Sequence, residues 1–292
     1  MATYASKGDR FERRTIGQDA IKSPVGTTTG RGLSPGLWTN CPIAQLQSNP
    51  ELGNYMFDDF HDGVHIAANQ ATAAASALGT TGNWTGFTDA TAGSLVSSPA
   101  TSIYGIVTLA GTTINEGATI AYPKGAAVAG KYKLATGTRL WMEARVSFLN
   151  ITTAKFGAYV GFAEEALLTT GAVLAASTPW ALADKDYVGF TKTNTATTSV
   201  ASIYNTESGG TSPATVAAAA ATIEADTFTK LGMYCDGTTC WFYQNGVKGT
   251  GVAIATADFP DGEEMAFYIA LMLGHGDAAS ISADWVAIAQ EY

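Results

Sequence analysis

The densest grouping of residues able to do chemistry is Asp58, Asp59, His61, Asp62 and His65. Carboxylates combined with backbone carbonyls hold calcium, and imidazoles hold zinc. His61 and His65 would share one face of a helix. Gly63 lies between them, however, and the preceding Tyr55-Met56-Phe57-Asp58-Asp59-Phe60 reads as a strand with an acidic end, so a strand end and a turn are expected. Calcium is the first metal alternative and zinc the second. The paired acids Glu164-Glu165 would point to opposite faces of a continued strand, and Glu263-Glu264 follow an Asp261-Gly262 turn; both pairs read as solvated loop charges. His275, within Gly274-His275-Gly276-Asp277, reads as a loop residue between the last two strands.

No Gly-x-Ser-x-Gly elbow and no Gly-x-x-x-x-Gly-Lys-Ser/Thr loop occurs, so neither a serine nucleophile nor a phosphate cradle is indicated. Neither Cys41 nor the Cys235/Cys240 pair has a histidine beside it in the sequence. No catalytic residue, metal or cofactor is therefore assigned, and the chain is expected not to be an enzyme. Trp84, Phe87, Tyr104, Trp180 and Trp241 could stack on sugar rings; the competing role for each is core or interface packing. Cys235 and Cys240 flank Asp236-Gly237-Thr238-Thr239, a hairpin loop that brings them together across two strands. Reduced thiols are expected in a cytosol, a bridge outside it.

The elements that must position these residues are short strands. Leu140, Met142, Ala144, Val146 and Phe148 alternate with Trp141, Glu143, Arg145 and Ser147, the pattern of a half-buried strand. Further strands are expected at 103–109, 119–122, 156–162 and 186–192. Residues 230–235, 240–244 and 247–254 form a meander turned by Asp-Gly and Asn245-Gly246. The apolar run 265–273 reads as a buried strand, being far shorter than the roughly 20 residues of a membrane helix. Residues 281–290 read as the last strand. The alanine run 214–221 is read as one helical turn or an edge loop. Roughly a dozen strands separated by turns predict an all-β antiparallel sandwich.

Two domains of unlike character follow: an extended N-terminal arm over 1–54 and a jelly-roll body over 55–292. The arm is punctuated by glycine and proline from Gly8 to Pro50, which breaks helices and long strands. Its Lys7, Arg10, Arg13, Arg14, Lys22 and Arg31 outnumber Asp9, Glu12, Asp19 and Glu51, while the body carries the rest of a net charge of −9. A segment this polar lacks the apolar content to fix its own shape. Arg10, Arg13, Arg14, Lys22, Arg31, Leu37 and Trp38 are its candidate partner-binding residues, the cations for an acidic protein surface and the apolar pair as plugs. Alternatively, Trp38 covers its own body. The acidic balance argues against nucleic acid as a partner. The start Met1-Ala2-Thr3-Tyr4 shows no apolar signal core, so no membrane is expected as a partner either, and assembly in a host cytoplasm is.

Lys230-Leu231-Gly232-Met233-Tyr234-Cys235-Asp236-Gly237, followed by Cys240-Trp241-Phe242-Tyr243-Gln244-Asn245-Gly246, resembles the late strands of concanavalin-like and laminin-G-like jelly rolls. Ser282-Ala283-Asp284-Trp285-Val286-Ala287-Ile288 is similar to their closing strand, which pairs near an opening strand such as Phe57–Phe60. The resemblance spans about 55–292. Hydrolases of this fold carry alternating acids such as Glu-x-Asp-x-x-Glu on one strand, a run this chain lacks. A jelly roll behind a long arm also resembles tailed-phage virion proteins, in particular capsid decoration or cement proteins. That resemblance implies a homo-oligomer, guessed as a trimer, on the capsid surface of a virion. Its partners would be the major capsid protein or other virion subunits; a carbohydrate-binding module taking a glycan is the alternative.

Overall fold

A computed structural model describes residues 30–61, 83–88, 94–97, 105–114, 117–123, 130–151, 156–164, 174–175, 181–182, 184–192, 198–207, 214–274 and 277–292. The strands assemble into two antiparallel sheets packed face to face. Sheet A runs β16 (Val247–Ala253), β15 (Thr239–Gln244), β14 (Thr229–Cys235), β7 (Arg139–Leu149), β18 (Ala279–Glu291), β4 (Val107–Gly111) and β3 (Ser94–Ser97), with β1 (Gly53–Asp58) also on β18. Sheet B runs β13 (Ala214–Thr222), β12 (Ser199–Asn205), β11 (Tyr187–Lys192), β8 (Phe156–Glu164), β17 (Glu264–Leu273), β5 (Gly117–Tyr122) and β2 (Thr85–Thr88), with β6 (Tyr132–Lys133) on β17. A separate hairpin joins β9 (Leu174–Ala175) to β10 (Ala181–Leu182). Chain neighbours repeatedly fall in opposite sheets, as in the concanavalin-like jelly roll.

Period-two alternation sends one face of each strand into the sandwich. On β17, Met265, Phe267, Ile269, Leu271 and Leu273 enter the main core. Ala266, Tyr268, Ala270 and Met272 turn outward yet are buried too. On β7 the inward and outward sets match the expected alternation, but the outward Trp141 and Glu143 are completely buried rather than half exposed. Both differences have one cause. Each sheet carries a covering layer that strand periodicity does not reveal.

The opening strand pairs with the closing one, Phe57 opposite Ala287 and Met56 opposite Ile288. At the β15–β16 hairpin, Asn245 and Gly246 take positive φ of 51° and 76°, the left-handed pair that matches the twist of the flanking strands. Cys235 and Cys240 are cross-strand partners and form a disulfide, where reduced thiols were expected. The alanine run 214–221 belongs to neither a helical turn nor a loop. It is β13, the edge of sheet B, because Ser199–Asn205 offers it a full ladder, irregular near Ser202.

Residues 31–48 depart from the extended arm expected of them. They contain two short helices, α1 (Pro35–Trp38) and α2 (Ile43–Ser48), laid on the outer face of sheet A. Pro35 opens α1 where its missing N–H costs nothing, and the Ser34 carbonyl accepts from Leu37 and Trp38 at 3.0 and 3.1 Å. Burial of Leu37, Trp38 and Leu46 supplies the stability that these brief helices lack by themselves. None of the described helices is long and apolar enough to cross a membrane.

Candidate functional site: the covered face of sheet A

Trp141, Glu143 and Arg145 rise from alternate positions of β7. The flanking strand β14 contributes Lys230 and Tyr234, and β15 contributes Tyr243. On the other side, β18 carries a bulge between Ala283 and Trp285. The extra residue places Asp284 beside Arg145 and restores the alternation, so that Val286 and Ile288 face the core while Trp285, Ala287 and Ala289 face outward.

Residues 31–48, the strap, close this face through polar contacts over residues 31–38 and through buried Leu37, Trp38, Cys41 and Leu46. Arg31 grips the Asp284 carboxylate with both Nε, at 2.8 Å, and Nη2. Arg145 Nη1 approaches the same carboxylate at 2.6 Å. Further in, the Ser34 amide and the Trp38 indole N–H each donate to Glu143 Oε2 at 2.9 Å. Lys230 Nζ donates to the Gly32 carbonyl at 2.7 Å and the Ser34 hydroxyl at 3.3 Å. The approach is close enough that a Cβ on Gly232 would lie 2.6 Å from a Leu37 methyl, and one on Gly36 would lie 2.3 Å from the Gly246 carbonyl.

Burial raises the Glu143 carboxyl above its ordinary value; donation from Ser34 and Trp38 and the Lys230 charge pull the other way. Burial likewise lowers the Lys230 ammonium, against the attraction of Glu143. Among the described residues, Glu143 Oε1, Trp141 Nε1, Trp285 Nε1 and Arg145 Nε meet no hydrogen-bond partner. Buried polar atoms left unpaired are costly, so the face is chemically richer than the strap satisfies. A carboxylate, an ammonium, a guanidinium–carboxylate pair and two indoles in a row can bind a peptide or a polar ligand. Their proximity was missed by sequence reading, which saw only that Trp141, Glu143 and Arg145 share a face.

Of the residues expected to bind a partner, Arg31, Leu37 and Trp38 are engaged on their own body, with Trp38 fully buried. Arg10, Arg13, Arg14 and Lys22 lie outside the described residues. In the metal candidate, Asp58 Oδ1 accepts from the Phe60 amide at 2.7 Å and Oδ2 from Trp84 Nε1 at 2.8 Å, as a turn requires. Asp59 Oδ1 accepts from the His61 amide at 3.2 Å; Asp62 and His65, like His275, are outside the described residues. Trp84 is a core residue and Trp241 is half-buried beneath Lys248, whose Nζ lies 3.4 Å from its ring centre. The side chains of Phe87, Tyr104 and Trp180 fall outside the described set.

Glu164 departs from a solvated loop charge. With Asp186 and Glu207 it forms a carboxylate cluster at the ends of β8, β11 and β12. Lys185 fills it, 3.0 Å from Glu164 and 2.5 Å from Glu207, so the cluster already holds a cation of its own.

No protein-family model matches this chain, and no curated protein is similar to it in sequence. Solved structures share its fold. A Bacteroides ovatus family 16 glycoside hydrolase from a mixed-linkage glucan locus is 11% identical, covering 80% of this chain and 99% of its own, with a TM-score of 0.49. The potassium-bound carbohydrate recognition domain of Emp46p is 8% identical over 70% and 88%, with a TM-score of 0.47. A Mycobacterium marinum β-1,3-glucanase is 16% identical over 63% and 73%, with a TM-score of 0.40. The all-β antiparallel sandwich is shown by the chain's own two sheets. The expectation that the chain is not an enzyme is corrected: glucanases are among the solved structures it is similar to.

Proposed function

We propose that this protein is a structural assembly component of a virion, a capsid decoration protein whose folded body is positioned through its N-terminal segment. One observation carries the reading: the strap is clasped to sheet A at Arg31, so the residues before it start from a fixed point on the body. Residues 1–29 hold Lys7, Arg10, Arg13, Arg14 and Lys22 against Asp9, Glu12 and Asp19, a formal +2, while the remainder of the chain is −11 within a total of −9. A basic segment tethered to an acidic body suits attachment to the acidic surface of a neighbouring subunit. Repeated copies around a symmetric particle would multiply weak individual contacts.

The clasp also fixes where such an arm must be cut. Deletion of residues 2–29 should leave the sandwich and its strap intact, whereas deletion of 2–50 strips the cover from Trp141, Glu143 and Trp285. Gradient sedimentation of lysates from cells producing the particle is the test. Full-length protein should travel with particles and the 2–29 deletion should remain near the top; co-sedimentation of both forms, or of neither, refutes the reading. A glycan-array signal that is lost on Trp241→Ala would replace it with carbohydrate binding.

A further inference from the structure

Asn245-Gly246 is the one Asn-Gly step in the sequence, and it sits where the strap meets the sandwich. An asparagine followed by glycine is prone to modify itself, because a neighbour without a side chain lets its amide nitrogen approach the asparagine Cγ. The Gly246 nitrogen attacks Cγ of Asn245: a C–N bond forms, the Cγ–Nδ2 bond breaks, and ammonia leaves behind a five-membered imide. Solvent water then opens one imide carbonyl or the other. The product is aspartate or, with the backbone rerouted through the side chain, isoaspartate. Water is the only co-reactant.

The folded turn opposes that reaction, and the strap holds the turn. Asn245 Oδ1 accepts from the Lys230 amide at 3.0 Å, and the Asn245 amide donates to the Lys230 carbonyl at 2.9 Å, so the carboxamide is engaged on β14 rather than free to fold onto the Gly246 nitrogen. Lys230 serves both sides of the contact. Its backbone grips Asn245, while its ammonium grips the Gly32 carbonyl at 2.7 Å and the Ser34 hydroxyl at 3.3 Å. The strap backbone also lies against the turn: a Cβ on Gly246 would lie 2.6 Å from Ser34 Cβ, and one on Gly36 would lie 2.3 Å from the Gly246 carbonyl. Asn245 and Gly246 are half-buried there, whereas Val247, one residue on, is 63% exposed.

We infer that Asn245 is a self-modification site guarded by the strap: the seated strap slows imide closure there, and the isoaspartyl product keeps the strap from seating again. The second half follows from space. Isoaspartate adds one carbon to the backbone of the turn, and the close approach at Gly36 leaves no room for a displaced Gly246 carbonyl. Aspartate keeps the original backbone path and an oxygen for the Lys230 amide, so it leaves the strap in place. Loss of ammonia is one-way, so the isoaspartyl fraction records how long the strap has stood open. The inference goes beyond the assembly reading and needs no second molecule.

The full-length chain is aged at mildly alkaline pH beside a free peptide of residues 243–250 and two variants that loosen the strap away from the turn. Arg31→Ala removes one guanidinium from Asp284, which Arg145 still pairs. Leu37→Ala removes the methyl groups over Gly232. Amide protection around Tyr159 reports whether each sandwich is folded, so either variant suffices. Peptide mapping by mass spectrometry follows conversion at Asn245. The native chain should be slowest and the free peptide fastest, with the loosened chains about tenfold faster than native, the change in open population that one lost charged hydrogen bond brings. The isoaspartyl form, separated by chromatography, should show raised hydrogen exchange over residues 31–48, and the Asn245→Asp variant should not. Equal rates in native and loosened chains, a native rate equal to that of the peptide, or an isoaspartyl form with a protected strap overturns the proposal. Each of these results leaves particle co-sedimentation untouched.

Discussion

On the outer face of sheet B, Tyr159 lies across a pair of glycines; on the outer face of sheet A, the strap lies across a row of charges. The first seal belongs to the sheet. Gly161 and Gly189 are directly opposite on β8 and β11, and the Tyr159 hydroxyl donates to the Phe162 carbonyl at 2.6 Å with the Val188 carbonyl at 3.0 Å. Tyr268 adds a bond to the Glu164 carbonyl at 3.0 Å, and Leu174 of the small hairpin completes the layer. The second seal arrives from a segment more than a hundred residues away in sequence, through ions and indoles. One cover is built into the strands, so it opens only when they separate; the other is a separate segment laid upon them. Tyrosine hydroxyls bond to their own sheet, whereas the Glu143 carboxylate takes its donors from Ser34 and Trp38, far off in the chain.

Four measurements would break or sharpen this contrast. Trp38→Ala should have the largest effect, costing about 3–5 kcal/mol as a fully buried aromatic lost to a cavity. Hydrogen exchange should rise over residues 31–48 and sheet A while amides around Tyr159 keep their protection; equal loss on both faces would make the two seals one. Gly161→Ala is the converse. A Cβ there would sit 2.5 Å from the Val188 carbonyl, and overpacking of this kind costs about 1–3 kcal/mol. Urea midpoints should fall without selective opening of the strap.

Glu143→Gln tests the charge. Burial holds the folded carboxyl above its ordinary 4.5, so the folded chain binds this proton more tightly than the unfolded one. The stability due to that difference is full below about pH 4.5 and is lost as pH rises through the folded value, at no more than about 1.4 kcal/mol per pH unit. Stability of the native chain relative to the Glu143→Gln variant should therefore decline over that rise. A difference that stays flat with pH would remove Glu143 from the account. The smallest effect is expected for Lys185→Met, below about 1 kcal/mol, because its ion pairs with Glu164 and Glu207 stand near solvent.

Much of the sandwich was legible in the sequence. Alternation placed the inward residues of β7 correctly, the Asn245-Gly246 turn marked its hairpin, and the first and last strands were paired. The covering layers were not legible, for a physical reason. Strand periodicity reports which residues share a face but not what lies upon it, and Arg31 meets Asp284 across 253 positions. Proline and glycine in residues 31–48 signal broken structure, which is also how a strap of two short helices looks. The bulge that aims Asp284 at Arg145 leaves no mark in the alternation of Ser282 to Ile288 that would announce it. For β13 the composition is ambiguous by nature: alanine suits a helix, and only the ladder offered by β12 decides.

That same edge strand bears on how the molecule behaves in solution. Residues 214–222 carry no charge and no proline, and Thr215, Ala218, Ala219 and Thr222 are exposed at the rim of sheet B. Such a rim is a template for another strand; lysine and proline are missing from it, and the irregularity near Ser202 and the Gln244 Nε2 donation to the Thr222 carbonyl at 2.6 Å are what blunt it. Mutual repulsion between acidic bodies is a further brake on end-to-end growth, with a reach of only about 8 Å in physiological salt. Concentrated stocks should stay clear in dilute buffer and turn turbid as salt is added, the reverse of ordinary salting-in.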